Sequence, residues 1–175
     1  MATEAMTDGD PGETEVQLPD SSEAMTVGDP GETEVQFSDS SEVKAVEKRA
    51  SCGQGWTGCG NRCFRFFSFG RTWSLAEGYC VSQRGHLASI HNIKEARLVG
   101  RLSRNKGLTW IGGGGSAEGF TWYWTDGSAF DYSNWGAWEP NNGSGNEHCI
   151  NINYKGEGVW NDLPCHQSRP FVCAK

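Results

Sequence analysis

The sequence has no run of apolar residues long enough to cross a bilayer, which excludes a helical membrane span. No apolar segment follows Met1, so no secretory signal peptide is visible. The first fifty residues contain no tryptophan, cysteine or tyrosine, and they carry 13 acidic and 3 basic side chains, a net of −10. A stretch this charged and this poor in large apolar side chains cannot bury enough surface to hold a core. It does contain a repeat: Glu4 to Gln17 returns as Glu23 to Gln36, an offset of 19 residues. Two copies without apolar faces cannot stack, which excludes a solenoid. Residues 1–50 therefore read as a disordered acidic repeat or pro-segment, and Lys48-Arg49 at its end as a candidate processing site.

Residues 51–175 hold what the first part lacks: all eight Trp, all seven Cys and all four Tyr, with 9 acidic and 12 basic side chains, a net of +3. So weak a charge on a cysteine-rich domain argues against nucleic acid as a partner. Seven cysteines point to a disulfide framework and an oxidising compartment, and the odd count leaves one thiol over. The expectation is a secreted protein, although no signal segment is visible.

The pattern along the domain mixes strands with two helices. Residues 52–69 read as a hairpin, turning at Gly60-Asn61-Arg62, which a Cys52–Cys63 bond would tie; Cys59 beside the turn is the candidate odd thiol. Thr72 is placed to cap a helix with Trp73, Ala76, Tyr79 and Cys80 on one face, ended by Gly85. His86 to Ile90 alternates as a short strand. Asn92 is placed to cap a second helix. Its apolar stripe is Ala96, Val99 and Leu102, and Arg97, Arg101 and Arg104 form a basic face that reads as solvated. Leu108 to Ile111 reads as a buried strand and Gly112 to Gly115 as a loop; no Lys-Ser/Thr follows, so it is not a phosphate loop. Phe120 to Trp124 alternates as a strand before the Asp126-Gly127 turn. Residues 128–145 form a long irregular loop, and long ordered loops are usually functional. Strands follow at 149–154, from Gly158, and at 169–173.

One cluster carries chemistry. Glu139-Pro140-Asn141, Glu147 beside Cys149, and Trp160-Asn161-Asp162 before Cys165 place five oxygen-bearing side chains on two short segments. A Cys149–Cys165 disulfide would hold those segments together. Hard cations such as calcium take six to eight oxygen ligands. Acids and amides together offer the acceptors and donors that a pair of sugar hydroxyls needs.

Residues 52–175 resemble a C-type lectin-like domain through an ordered set of landmarks. These are Cys52…Cys63, Trp73…Cys80, Gly85 to Ile90, Trp110-Ile111-Gly112, Trp122 to Gly127, Asn134-Trp135, Glu139-Pro140-Asn141, Cys149, Trp160-Asn161-Asp162, Cys165 and Cys173. The phrasing is most similar to soluble fish lectins, a group that also contains type II antifreeze proteins. The resemblance implies an α+β fold with two helices flanking two small antiparallel sheets and a long loop region. It also implies disulfides Cys52–Cys63, Cys80–Cys173 and Cys149–Cys165, leaving Cys59 for an intermolecular bond that would make a homodimer. It assigns Glu139, Asn141, Glu147, Asn161 and Asp162 to a Ca2+ ion and to the sugar, with Pro140 cis. Glu-Pro-Asn goes in the family with mannose-type sugars, whose 3- and 4-hydroxyls are both equatorial, and Gln-Pro-Asp with galactose. An auxiliary calcium site is expected to be weak or absent, because its acidic positions appear as Gly114, Asn142 and His148, with Glu118 kept. Asn142-Gly143-Ser144 is a glycosylation sequon beside the site.

The function expected is a secreted, defence-related (innate immunity) lectin. It would bind mannose-type glycans of microbes or glycoproteins through calcium, with Trp135 and Trp138 flanking the loop. The alternative on the same fold is an ice-binding protein of the type II antifreeze kind, for which Thr109, Thr121 and Thr125 are too few to build a regular array. No enzyme is expected: His86, His91, His148 and His166 lie in no HExxH-type motif, and nothing singles out a nucleophile.

Overall fold

The computed structural model describes residues 51–116 and 121–175, so the acidic repeat, Ala117, Glu118, Gly119 and Phe120 lie outside the described residues. Eleven elements follow in chain order. They are β1 (Thr57–Cys59), β2 (Arg62–Arg71), α1 (Trp73–Ser82), β3 (His86–Leu87), α2 (Ile93–Leu102), β4 (Thr109–Gly115), β5 (Trp122–Trp124), a 3-10 turn (Gly143–Gly145), β6 (Cys149–Ile152), β7 (Trp160–Leu163) and β8 (Arg169–Ala174).

The hairpin of β1 and β2 closes at Cys59↔Arg62, and β8 lies antiparallel along β2 with Phe64 opposite Ala174. On the other side β4 pairs with β5 and β6, and β6 with β7, all antiparallel. These are the two antiparallel sets that were expected. They are joined by one parallel contact, Trp110 of β4 against Phe171 of β8, which makes the sheet mixed. All three expected disulfides are present, Cys52–Cys63, Cys80–Cys173 and Cys149–Cys165, and Cys59 is the free cysteine. Cys80–Cys173 spans 93 residues and ties α1 to β8, a closure that removes much chain entropy from the unfolded state.

Each helix buries the face its spacing predicts. Ala76 and Cys80 of α1 are fully buried, with Trp73 and Tyr79 packed against the same cluster. Thr72 holds the cap position without a side-chain bond; only its carbonyl serves, accepting from the Ala76 N–H. Asn92 does cap α2, its Oδ1 accepting from the Lys94 and Glu95 N–H groups at 3.0 Å each. Losing such a cap typically costs about 1 kcal/mol. Ala96, Leu98 and Val99 turn into the larger core cluster, which holds Trp124, Trp160, Ile111 and Ile150.

Three expectations are corrected. Gly112 to Gly115 are not a loop; they continue β4. The glycines are there because neighbours come too close for a side chain. A Cβ on Gly112 would lie 2.5 Å from the Leu87 carbonyl oxygen, and one on Gly113 would strike the Ile150 side chain. Gly112→Ala is expected to lower stability by about 1–3 kcal/mol, read as a drop in urea midpoint with unchanged slope. The strand expected over 149–154 ends at Ile152 and does not alternate in burial: all four residues of β6 are buried, because Ile150 and Ile152 pack into one core cluster, Cys149 into the other, and Asn151 donates to the Asn161 carbonyl. The strand expected at His86–Ile90 is ladder-paired only at His86 and Leu87.

The long loop after β5 is pinned to β7. Gly136 donates to the Trp160 carbonyl and Trp160 to the Asn134 carbonyl, both at 2.9 Å. Trp135 lies against Trp122 at 4.9 Å and Trp160 at 5.6 Å, so it belongs to the packing beneath the loop.

Candidate functional site

Four of the five oxygen-bearing residues, Glu139, Asn141, Glu147 and Asp162, converge on the end of the β6–β7 ribbon, and Asn161 precedes Asp162 on β7. The ladder places Ile150 opposite Asp162 and Asn151 opposite Asn161, and Cys149–Cys165 closes the ribbon just beyond. Asp162 is fully buried. Its two carboxylate oxygens accept from the Asn141 N–H at 3.1 Å and the Asn142 N–H at 2.7 Å, so this side chain fixes the loop around Pro140. The Glu139–Pro140 peptide is cis, as the resemblance implied. The Glu139 N–H donates to the Gly136 carbonyl at 3.1 Å, tying the front of the loop back on itself.

Glu147 comes in from the other side. Its Oε2 accepts from the Gly143 N–H at 2.9 Å, while its own N–H donates to Asn142 Oδ1 at 3.0 Å. Gly143 went unnoticed in the sequence beyond its place in the sequon. A Cβ there would sit 2.7 Å from Glu147 Oε2, so glycine is what lets the carboxylate close on the loop. Asn161, nearly buried, donates from Nδ2 to the Asp162 carbonyl at 2.6 Å, which orients the amide.

Three carboxylates thus share one small volume, and none has an ion-pair partner among the described residues. Burial, the facing Asp162 carboxyl and the Glu147 charge together push the Glu139 carboxyl above its ordinary value. Burial and the Asp162 charge push Glu147 up as well, against the opposing Gly143 N–H. Glu139 Oε2 is a buried oxygen with no hydrogen-bond donor. Crowding of this kind favours a nearby cation, and oxygen donors suit a hard one. Among the described residues, no three His, Cys, Asp or Glu side chains are closed into a ready cage. Asn141 and Asn161 lie beside these acids in the chain, and carboxamide oxygens are hard donors as well.

The auxiliary positions offer much less. Gly114 is buried in β4, and a Cβ there would lie 2.7 Å from the Tyr123 ring and hydroxyl, so no acid fits. Asn142 is spent on the Glu147 N–H, and Glu118 lies outside the described residues. Trp138 stands beside Glu139, 93% exposed with φ +68°, the largest apolar side chain offered to solvent.

A second polar cluster has no clear signal in the sequence. His91 Nδ1 lies 2.7 Å from Asp131 Oδ1, and its Nε2 lies 3.1 Å from Ser128 Oγ and 3.2 Å from Ser89 Oγ. This is the order of an Asp-His-Ser set, but both hydroxyls give their protons to Asp126. Neither can then pass a proton to His91, which a nucleophile must do. Burial alone would raise Asp126; the bonds from Ser128 and Ser89 and the Arg62 charge outweigh it and hold the carboxyl below its ordinary range. Arg62 also bonds Glu95 at 2.9 Å and Ser89 Oγ at 2.6 Å. The cluster is a clamp joining β2, α2 and the loop. His86, for its part, pairs with Glu77 at 2.6 Å.

The Lectin C-type domain model matches residues 70–175. Ladderlectin of Oncorhynchus mykiss is 43% identical over 132 residues, covering 73% of this chain and 70% of that protein. The galactose-specific lectin nattectin of Thalassophryne nattereri is 41% identical over 136 residues, covering 74% and 85%. Among solved structures, a calcium-independent type II antifreeze protein superposes with a TM-score of 0.66 at 38% identity, covering 73% of this chain and 95% of that one.

Proposed function

The chain belongs to the C-type lectin domain family, a family of non-enzymatic carbohydrate-binding proteins, and from that premise we propose that it binds mannose-type glycans through Ca2+ held by Glu139, Asn141, Glu147, Asn161 and Asp162. The observation that supports the calcium reading is the trio of carboxylates with no ion-pair partner among the described residues; Tyr154 bonds the Glu139 carboxyl, but its buried Oε2 meets no donor. Calcium bound there would supply an anchor for two adjacent sugar hydroxyls. In this reading Glu139 and Glu147 accept their protons, and the Asn141 and Asn161 amides donate to their oxygens. The order of acid and amide around Pro140 supports equatorial hydroxyl pairs, whereas galactose attaches by name to nattectin. Trp138 offers a flat apolar face beside the hydroxyl-binding groups. Secretion follows from the disulfides, and a defence role from the class of glycan.

Columns of mannose-agarose and galactose-agarose test this. The full chain is expected to be retained on mannose in calcium, to pass through galactose, and to elute with a chelator. Retention that survives chelation would remove calcium from the mechanism. Retention on galactose alone would reverse the specificity.

The antifreeze relationship supports the ice-binding alternative, but the threonines do not. Thr109 is buried and Thr125 half-buried, leaving only Thr121 exposed of the three. No freezing-point hysteresis is expected.

Valency is the remaining part of the proposal. Cys59 is half-buried, and burial pushes its thiol above the ordinary value, which lowers the reactive thiolate fraction. A bond between two Cys59 residues would also bring two sets of Lys94, Arg97 and Arg101 together, since all three line the hollow beside it. We therefore propose that Cys59 stays a reduced thiol rather than forming an intermolecular disulfide. Non-reducing electrophoresis is expected to show a single-chain band; a dimer band abolished by Cys59→Ser would restore the covalent homodimer.

A further inference from the structure

The basic face of α2 is more than a solvated helix surface. Lys94, Arg97 and Arg101 line one hollow of about 280 Å³, floored by Leu98 of the same helix and by Gly58 and Cys59 of β1. We propose that this hollow is a second, calcium-independent binding site, and that its ligand is a sulfated glycan chain.

The three cationic side chains lie together on one hollow. Arg97 and Arg101 are exposed and make no ion pair among the described residues. Glu95, the one acid on α2, turns inward to Arg62 at 2.9 Å. Glu157, the acid near the far end of the helix, is engaged by Arg104 at 2.6 and 3.2 Å. The field at Cys59 is mixed: burial and then the Glu95 charge raise its thiol, while Lys94, Arg62 and Arg101 pull it down.

Shape and chemistry select the ligand. Residues 94, 97 and 101 lie three and four apart, on one side of the helix, and the row they form is roughly 10 Å long at the α-helical rise. A single small anion covers only part of such a row; a chain carrying repeated anionic groups covers it all. Two guanidinium forks match the oxygens of sulfate groups, with an ammonium beside them. Single-stranded nucleic acid fits less well, because no aromatic side chain lines the hollow for base stacking. The three disulfides place the protein where sulfated glycans rather than nucleic acids are met. The hollow shares no residue with the Glu139–Asp162 cluster, so one chain would hold two different glycans at once.

The test uses the full chain in chelator, so that the calcium site cannot contribute, and a heparin oligosaccharide of defined length as the probe. Binding is expected in chelator and should weaken steeply with added salt, as exposed ion pairs do. The charge-reversing pair Arg97→Glu with Arg101→Glu is expected to weaken it at least about 30-fold, and the neutral pair Arg97→Gln with Arg101→Gln about tenfold. Both positions are exposed, so thermal midpoints should stay at the wild-type value. Glu139→Gln with Asn141→Asp should leave heparin binding unchanged, which separates this site from the calcium site. No binding at low salt, equal binding of chemically desulfated heparin, tighter binding of single-stranded DNA or anionic vesicles, or indifference to both Arg97/Arg101 variants would each overturn the assignment.

Discussion

Exchanging the acid and the amide that flank Pro140, as Glu139→Gln with Asn141→Asp, is expected to turn preference from mannose toward galactose. Each sugar hydroxyl at such a site must donate to a carboxylate and accept from an amide, so moving the acid changes which hydroxyl geometry leaves no group unpaired. The site is open to water, which puts the expected change at the low end for hydrogen bonds to charged groups: about tenfold in the ratio of affinities, or about 1.4 kcal/mol. The exchange conserves charge, because one carboxylate is lost and one gained. The backbone N–H of residue 141 still donates to Asp162, so the loop keeps its anchor. Thermal stability in chelator should therefore match that of the wild type. Sugar-column retention with a parallel melting curve checks both halves; a collapsed midpoint would mean that Glu139 and Asn141 hold the loop rather than select the ligand.

The second large effect joins calcium, pH and stability. Glu139 and Glu147 both have carboxyls raised above their ordinary values, first by burial and then by neighbouring acid. Groups raised in this way bind more protons folded than unfolded, so the stability they confer is present at low pH and lost as pH rises through their folded values. In chelator the chain should consequently become more stable as pH falls from neutral toward the ordinary glutamate range. Calcium should reverse that slope, because protons compete for the same oxygens. At a hundredfold excess over its dissociation constant, calcium should add about 2.7 kcal/mol near neutral pH, or about 10 °C in midpoint, and progressively less on acidification. Asp126, Asp131 and Glu157 have lowered carboxyls and lose their contribution only at more acidic pH, outside this window. Melting curves in calcium and in chelator across that range check the prediction. A calcium increment that does not fall with pH would place the ion away from these carboxylates.

Parts of the molecule governed by local rules were legible in the sequence. Asn92 caps α2 as its position predicted, the Gly60-Asn61 turn closes the hairpin, and the burial of Ala76 and Cys80 follows helical spacing. The convergence of Glu139, Asn141, Glu147 and Asp162 was legible only through the family pattern, since nothing local joins residue 139 to residue 162. What stayed hidden depends on distant neighbours. The glycines of β4 read as loop because a lone segment does not reveal that Leu87 and Ile150 press against it. Asp162 read as one ligand among five, whereas its burial and its two bonds to the Asn141 and Asn142 N–H groups make it the residue that shapes the loop. The clamp of Arg62, Ser89, His91, Asp126 and Asp131 draws on positions as far apart as 40 residues for a single bond. The row of Lys94, Arg97 and Arg101 was visible, but not the hollow that β1 completes beside it.

The most direct measurement is a calorimetric titration of methyl α-mannoside into the full chain, in saturating calcium and again in chelator, with Asp162→Ala alongside. Saturable heat in calcium alone, absent in the variant while its disulfides and fold persist, is the result expected. Equal heat in chelator, or undiminished binding by Asp162→Ala, would contradict calcium-dependent recognition at the Glu139–Asp162 site.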